Sequence, residues 1–135
     1  MLAVLFSISV LALTPGELPT SAAAQSERKL ILNMLRAPLE RRFGGQVEFL
    51  VTTYRKTQHW AFVQAEPRRP GGKSIDGRRY YGDHWQDMDG LTTTAIVQKV
   101  AGRWTIVELR VGATDAWYCG FVPIGKFDPC AGSPD

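Results

Sequence analysis

Alternating apolar and polar residues constrain the fold of this chain more than any other feature of its sequence. Apolar side chains recur with a period close to two in residues 47–66 and again in residues 92–111. This period is typical of β-strands that bury one face. Each stretch is interrupted by a short turn. The sequence therefore predicts two hairpins, built from strands Gln46–Arg55 and His59–Glu66, and from strands Thr92–Val100 and Arg103–Val111.

A helix is predicted before the first hairpin. Ser26 and Glu27 suit a helix start, because a serine caps backbone N–H groups and a carboxylate is favoured at that end. Pro38 predicts an end near Ala37, with one further turn before Gly44–Gly45. One apolar face at helical spacing is predicted for this helix, formed by Leu30, Ile31, Met34 and Leu35.

One helix followed by two hairpins predicts an α+β fold, with the helix packed across one face of a four-stranded antiparallel sheet. This outline matches the cystatin-like roll. The larger NTF2-like folds of that group have more helices and a deep cone-shaped pocket. Since only one long helix is indicated here, we expect no deep pocket. Residues 67–90 are predicted to form a long loop between the hairpins.

The chain begins with an apolar run at residues 2–13, which is too short to span a bilayer as a helix. Ala22 and Ala24 then fit the small-residue rule for signal-peptide cleavage. We therefore predict a signal peptide at residues 1–24 and a single domain at residues 25–135, exported to the periplasm or the extracellular space. No stable membrane span is predicted.

Cys119 and Cys130 are the only cysteines of the chain. Export permits a disulfide, and two cysteines allow one intramolecular pairing. No C-x-x-C spacing indicates a redox or metal site, and neither histidine is close to either cysteine in the sequence. We therefore predict a structural Cys119–Cys130 disulfide that closes the irregular C-terminal tail.

Three pieces of the sequence look familiar together: the helix that contains Leu35-Arg36, the strand pair around Val47-Glu48-Phe49 and Trp60-Ala61-Phe62-Val63, and the segments Gly102-Arg103-Trp104 and Gly112–Trp117. The chain resembles a group of small, mostly uncharacterised exported bacterial proteins. The resemblance implies bacterial export and a single small domain. It implies no activity and no catalytic residue.

A basic stretch with neighbouring aromatic residues is the main candidate site. Residues 55–79 hold seven basic and two acidic residues, a net charge of +5 in a chain whose total is +3. Such a loop can bind a cell-wall polymer, a lipid headgroup or an acidic protein face. Export argues against nucleic acid. The predicted binding residues are Arg68, Arg69, Arg78, Arg79, Tyr80, Tyr81 and Trp85.

Asp115 and His84 are candidates for a general base, which would require an apolar pocket around the side chain. Asp87 and Asp89 resemble a fragment of a calcium loop, but Trp85 stands where that pattern needs a carboxylate. We therefore predict no metal and no cofactor.

Three functions are compatible with these observations. The sequence favours a small non-enzymatic binding protein that contacts an unidentified anionic envelope component or protein through the basic-aromatic loop. The alternative is a small cystatin- or NTF2-like enzyme with Asp115 or His84 as its base. A structural accessory or immunity-type inhibitor is a third reading, which the sequence does not separate from the first.

Overall fold

The computed structural model describes residues 21–121 and 127–130. In chain order, its elements are α1 (Ser21–Phe43), β1 (Glu48–Lys56), β2 (Trp60–Arg68), α2 (Gly77–Tyr81), a 3-10 helix (Gly82–Asp87), β3 (Thr93–Val100) and β4 (Arg103–Val111). The strands form one antiparallel sheet in the order β1-β2-β3-β4, with α1 packed on one face. The predicted α+β fold is confirmed. The finer assignment to a cystatin-like roll stays a prediction.

Helix α1 is longer at its start than predicted. It includes Ser21–Ala24, and the expected cap Ser26 lies inside it. A run of alanines favours helix strongly, which explains the extension. The six residues 21–26 are all exposed. Of the predicted signal peptide, residues 1–20 lie outside the described residues, so its cleavage after Ala24 stays a prediction.

The expected end of the helix at Pro38 is wrong, because α1 continues through this proline to Phe43. A proline inside a helix removes one backbone hydrogen bond and costs about 3 kcal/mol. Burial on both sides of it offsets that cost. The fully buried face consists of Ile31, Leu35, Leu39 and Phe43, spaced four residues apart. Leu30, predicted on that face, is 54% exposed.

Two irregularities decide which side chains of the edge strands face α1. The register between β1 and β2 shifts between Val51 and Thr53, and Tyr54 then packs on the same face as Val51. The register between β3 and β4 shifts opposite Val107, which brings Leu109 onto the helix face with Ile106. An inserted residue resets the alternation of a strand. Strict alternation predicts Tyr54 on the face opposite to Val51 and Leu109 on the face opposite to Ile106, and both predictions are wrong because of the bulges.

The segment between β2 and β3 is more ordered than the predicted loop at 67–90. Strand β2 continues to Arg68, and α2 and the 3-10 helix occupy Gly77–Asp87. Ile75 and Leu91 are buried with Leu39 and Phe43 at the end of α1. The segment thus closes one end of the core. Helices this short have no sequence periodicity to reveal them.

The C-terminal segment covers the second face of the sheet. Phe62 and Ile96 are buried there in one cluster with Phe127. The predicted disulfide between Cys119 and Cys130 is confirmed, with a Cα–Cα distance of 5.3 Å. Half-buried Trp117, Tyr118 and Phe121 of this C-terminal segment, which we call the cover, pack in the same cluster as Trp60 of β2. Residues 122–126 and 131–135 of the predicted tail lie outside the described residues.

Candidate functional site

The candidate site lies at the end of the sheet where α1 finishes. Phe43, the last buried residue of α1, contacts the rings of Tyr80 and Tyr81 edge-to-face, at centroid distances of 5.2 and 6.3 Å. Close packing of Trp85 on Gly77 fixes α2 in this place, because a Cβ atom at Gly77 would lie 2.1 Å from the indole ring. The two tyrosines are therefore held against the end of α1.

Arg69 and Tyr80 complete the C-terminal end of α1. The last carbonyl groups of a helix have no partner within it. The Arg69 guanidinium donates to the Phe43 carbonyl oxygen and, at 3.3 Å, to the Gln46 carbonyl oxygen. The Tyr80 hydroxyl donates to the Phe43 oxygen at 2.8 Å, and Arg69 donates to that hydroxyl at 3.1 Å. These two predicted binding residues therefore stabilise the helix end.

Two further arginines lie against the tyrosine rings. Arg42 Nη1 donates to the Tyr81 hydroxyl at 2.9 Å, and the guanidinium carbon of Arg42 lies 5.8 Å from that ring centroid. The guanidinium carbon of Arg79 lies 5.7 Å from the centroid of Tyr80. Both arginines remain exposed. Cation–π contacts of this kind restrict a guanidinium while leaving its N–H groups in solvent.

The fold thus gathers three Arg–Arg doublets from separate parts of the chain. We call them the arginine cluster: Arg41, Arg42, Arg68, Arg69, Arg78 and Arg79. One member of each doublet contacts Tyr80 or Tyr81. The loop residues were predicted, whereas the doublet at the end of α1 was missed. The Arg41–Arg42 doublet could have been found from the sequence, because the same Arg–Arg pair occurs twice more in the basic stretch.

Within the described residues, no carboxylate forms an ion pair with this cluster, and its acidic neighbour across the sheet is Glu48, opposite Arg68 in the β1–β2 register. The ion pairs among the described residues join Glu27 to Lys56 and Lys99, and Glu108 to Arg110. The nearby Glu40 accepts a hydrogen bond from the backbone N–H of Val47 instead. The six arginines of the cluster therefore have no ion-paired carboxylate in the part of the protein that the structure describes.

The remaining predicted binding residues lie at the margin of the cluster. Arg68 is half-buried and borders an open groove of about 180 Å³ with Glu48, Phe49, Leu50 and Gly72. Trp85 is half-buried over Gly77 and packs into the core cluster around Phe43. Trp85 therefore supports α2 rather than presenting a free ring. The exposed members of the predicted set are Arg78 and Arg79.

The residues proposed for acid–base chemistry are in open surroundings. Asp115 and His84 are both exposed, so neither has the apolar environment that would tune a general base. Among residues 21–121 and 127–130, no three His, Cys, Asp or Glu side chains are grouped so that they could hold a metal ion. The geometry gives the enzymatic alternative no support.

A second charged group lies at the opposite end of the sheet. Glu27 of α1 bonds the ammonium groups of Lys56 at 2.7 Å and Lys99 at 3.4 Å, and both lysines lie under 6 Å from the Trp104 ring centroid. The hydrogen bond from Lys56 is the main cause that lowers the pKa of Glu27. Burial, with the charge of Glu27, raises the pKa of nearby Tyr54. This group ties the start of α1 to the sheet, and both of its lysines share one paired carboxylate.

Comparison with known proteins adds no relationship to these observations. No family model, no curated protein and no solved structure matches the chain. No helix within the described residues is long and apolar enough to cross a membrane.

Proposed function

We propose that this chain is an exported interaction protein that binds an anionic partner through the arginine cluster. The observation that carries the proposal is the convergence of one arginine from each Arg–Arg doublet on Tyr80 and Tyr81, without an ion-paired carboxylate among the described residues. A solvated basic surface needs no such convergence. The Cys119–Cys130 disulfide supports the exported location, because disulfides persist in oxidising compartments.

The strength of the interaction limits the kind of partner. Arg69 is engaged with the carbonyl groups of Phe43 and Gln46, so five arginines of the cluster remain for a ligand. Each exposed ion pair contributes about 1 kcal/mol or less. Even five simultaneous pairs would then give about 5 kcal/mol, which corresponds to a Kd of about 0.2 mM. The partner must therefore present several negative charges at once, as an envelope surface or an acidic protein face does.

Charge reversal tests this function directly. An Arg78→Glu/Arg79→Glu variant should lose co-sedimentation with isolated envelope fragments, and binding of the wild type should weaken as salt is raised. Arg103→Glu is the matched control for the single variant Arg78→Glu, because both exchange one exposed arginine for a glutamate and Arg103 lies at the opposite end of the sheet, paired with Val100 at the β3–β4 turn. Equal sedimentation of the double variant and the wild type would refute the proposal.

A further inference from the structure

The arginine cluster has a second property besides its positive charge: contacts with Tyr80 and Tyr81 hold two of its guanidinium groups in place. We infer that Arg42 and Arg79 bind the phosphoryl oxygens of anionic phospholipid headgroups, and that Tyr81 is the positioning residue for Arg42. This inference rests on the proposed function and specifies its ligand. It starts from the Arg42–Tyr81 hydrogen bond of 2.9 Å and from the stacking of Arg79 on Tyr80.

The chemistry of these side chains favours phosphoryl groups. A guanidinium has five N–H donors, and one of those of Arg42 is used by the Tyr81 hydroxyl. The other donors of this exposed side chain can form a bidentate pair with phosphate oxygens, a geometry that a lysine ammonium cannot reproduce. The cluster consists of six arginines, and only Lys73 adds an ammonium group to residues 67–90. This composition indicates oriented recognition rather than charge alone.

Orientation before binding also lowers the entropic cost of binding. A free arginine loses much side-chain entropy when a ligand immobilises it. Arg42 has lost part of that freedom already, because the Tyr81 hydroxyl and ring hold it. Tyr81 is in turn fixed by the edge-to-face contact with the buried Phe43. Tyr81 therefore connects the exposed Arg42 side chain to the buried Phe43.

A lipid surface fits the arrangement better than an isolated phosphate ion does. The side chains of Arg41, Arg42, Arg78 and Arg79 are exposed on two helices and are not enclosed in a cavity. Each basic residue near an anionic bilayer strengthens binding about fivefold. Several arginines must therefore act together, and an array of headgroups can engage both helices simultaneously.

The test uses vesicles of phosphatidylglycerol in phosphatidylcholine and the full folded chain. Arg42→Lys keeps the charge but removes the paired N–H donors of the guanidinium, and should weaken vesicle binding about fivefold. Tyr81→Phe keeps the charge and the ring but removes the hydroxyl, and should weaken it about threefold. Arg103→Lys, at the far end of the sheet, should bind as the wild type does. Circular dichroism melting verifies that each variant is folded, and Arg42→Lys alters no buried side chain.

The outcomes separate this inference from the proposed function. If both conservative variants bind as the wild type does while the Arg78→Glu/Arg79→Glu variant loses binding, charge alone acts and the inference is wrong, although the proposed function stands. If the Arg78→Glu/Arg79→Glu variant also binds normally, both are wrong. If soluble polyphosphate of equal phosphate concentration binds as tightly as the vesicles, or only polyphosphate binds, the lipid assignment is refuted.

Discussion

The disulfide gives the most quantitative prediction, because it closes the segment that covers the second face of the sheet. We consider the variant Cys119→Ser/Cys130→Ser. In the native protein, Tyr118 stacks on the buried Phe62 with ring centroids 4.5 Å apart. Arg55 donates to the Pro129 carbonyl oxygen at 2.5 Å. These contacts attach the cover at both of its ends, and the variant removes only the covalent link between them.

The size of the effect follows from the length of the closed loop. Cys119 and Cys130 are separated by 11 positions. For a loop of this length, the chain-entropy relation gives a stabilisation of about 3 kcal/mol at 25 °C. Domains of this size have a total free energy of unfolding of about 5–15 kcal/mol. The double variant should therefore remain folded but lose a substantial part of its stability.

Urea denaturation followed by tryptophan fluorescence measures this loss. The fluorescence sums four tryptophans, of which Trp60 and Trp117 pack in the C-terminal cluster. Far-ultraviolet circular dichroism reports on the helix and sheet, and the two transitions should coincide. The wild type under a reductant is the matched control, because no free cysteine occurs among the described residues. A loss below about 1 kcal/mol in both would refute the reasoning, because the segment would then not belong to the cooperative unit.

Three further predictions concern single side chains. Since pairing lowers the pKa of Glu27, its stabilising effect is present above the ordinary glutamate pKa of about 4.3 and is lost as the pH falls through the lowered value. Glu27→Gln should lower the free energy of unfolding by about 1 kcal/mol at pH 7, and this difference from the wild type should vanish in acid. A difference that does not depend on pH would contradict the prediction. Gly77→Ala should displace Trp85, which should lower the free energy of unfolding by about 1–3 kcal/mol and shift the tryptophan emission. An unchanged melting temperature would contradict this prediction. The indole N–H of Trp117 donates to the buried Thr94 hydroxyl at 2.8 Å, so Trp117→Phe should cost about 1 kcal/mol of stability through the lost hydrogen bond. Adding Thr94→Val should recover part of this loss. Strictly additive losses in the double-mutant cycle would argue against this hydrogen bond.

The strands were predictable because their alternation extends over many residues, and the bulges were not because each depends on one inserted residue. In β4, Trp104 and Ile106 face α1 as their spacing implies. Val107 then adds a residue that faces solvent, being 40% exposed. Nothing in the local sequence marks Val107 as inserted, because its position is decided by pairing with β3. A one-residue slip of this kind moves every later side chain to the other face.

The course of α1 shows how tertiary packing can outweigh a strong local signal. Pro38 is an unfavourable residue inside a helix. Beyond it, Leu39 and Phe43 continue the buried face and pack with Ile75 and Leu91. Burying a leucine and a phenylalanine contributes about 1.5–3 kcal/mol each, which exceeds the cost of the proline. These partners come from a distant segment, so a reading of residues 26–45 alone could not weigh them.

The candidate site was predicted in part, for a related reason. Sequence composition identified Arg78 and Arg79, because they lie in a basic stretch with few acidic residues. It could not distinguish Arg69, which bonds the end of α1, from its neighbours. It also missed Arg42, which is distant in sequence and reaches the site through Tyr81. Roles that depend on hydrogen bonds across separate elements become visible only in the folded chain.

The two ends of α1 give the strongest argument that the arginine cluster serves binding. At the start of the helix, Glu27 forms ion pairs with two lysines, and folding alone accounts for that arrangement. At the other end, Arg69 and Tyr80 satisfy the Phe43 carbonyl group, and folding needs no further cation there. Additional unpaired arginines raise self-repulsion and lower stability. Because the chain can pair its cations, as it does at the start of α1, the unpaired surplus is best explained by a partner that supplies the negative charge.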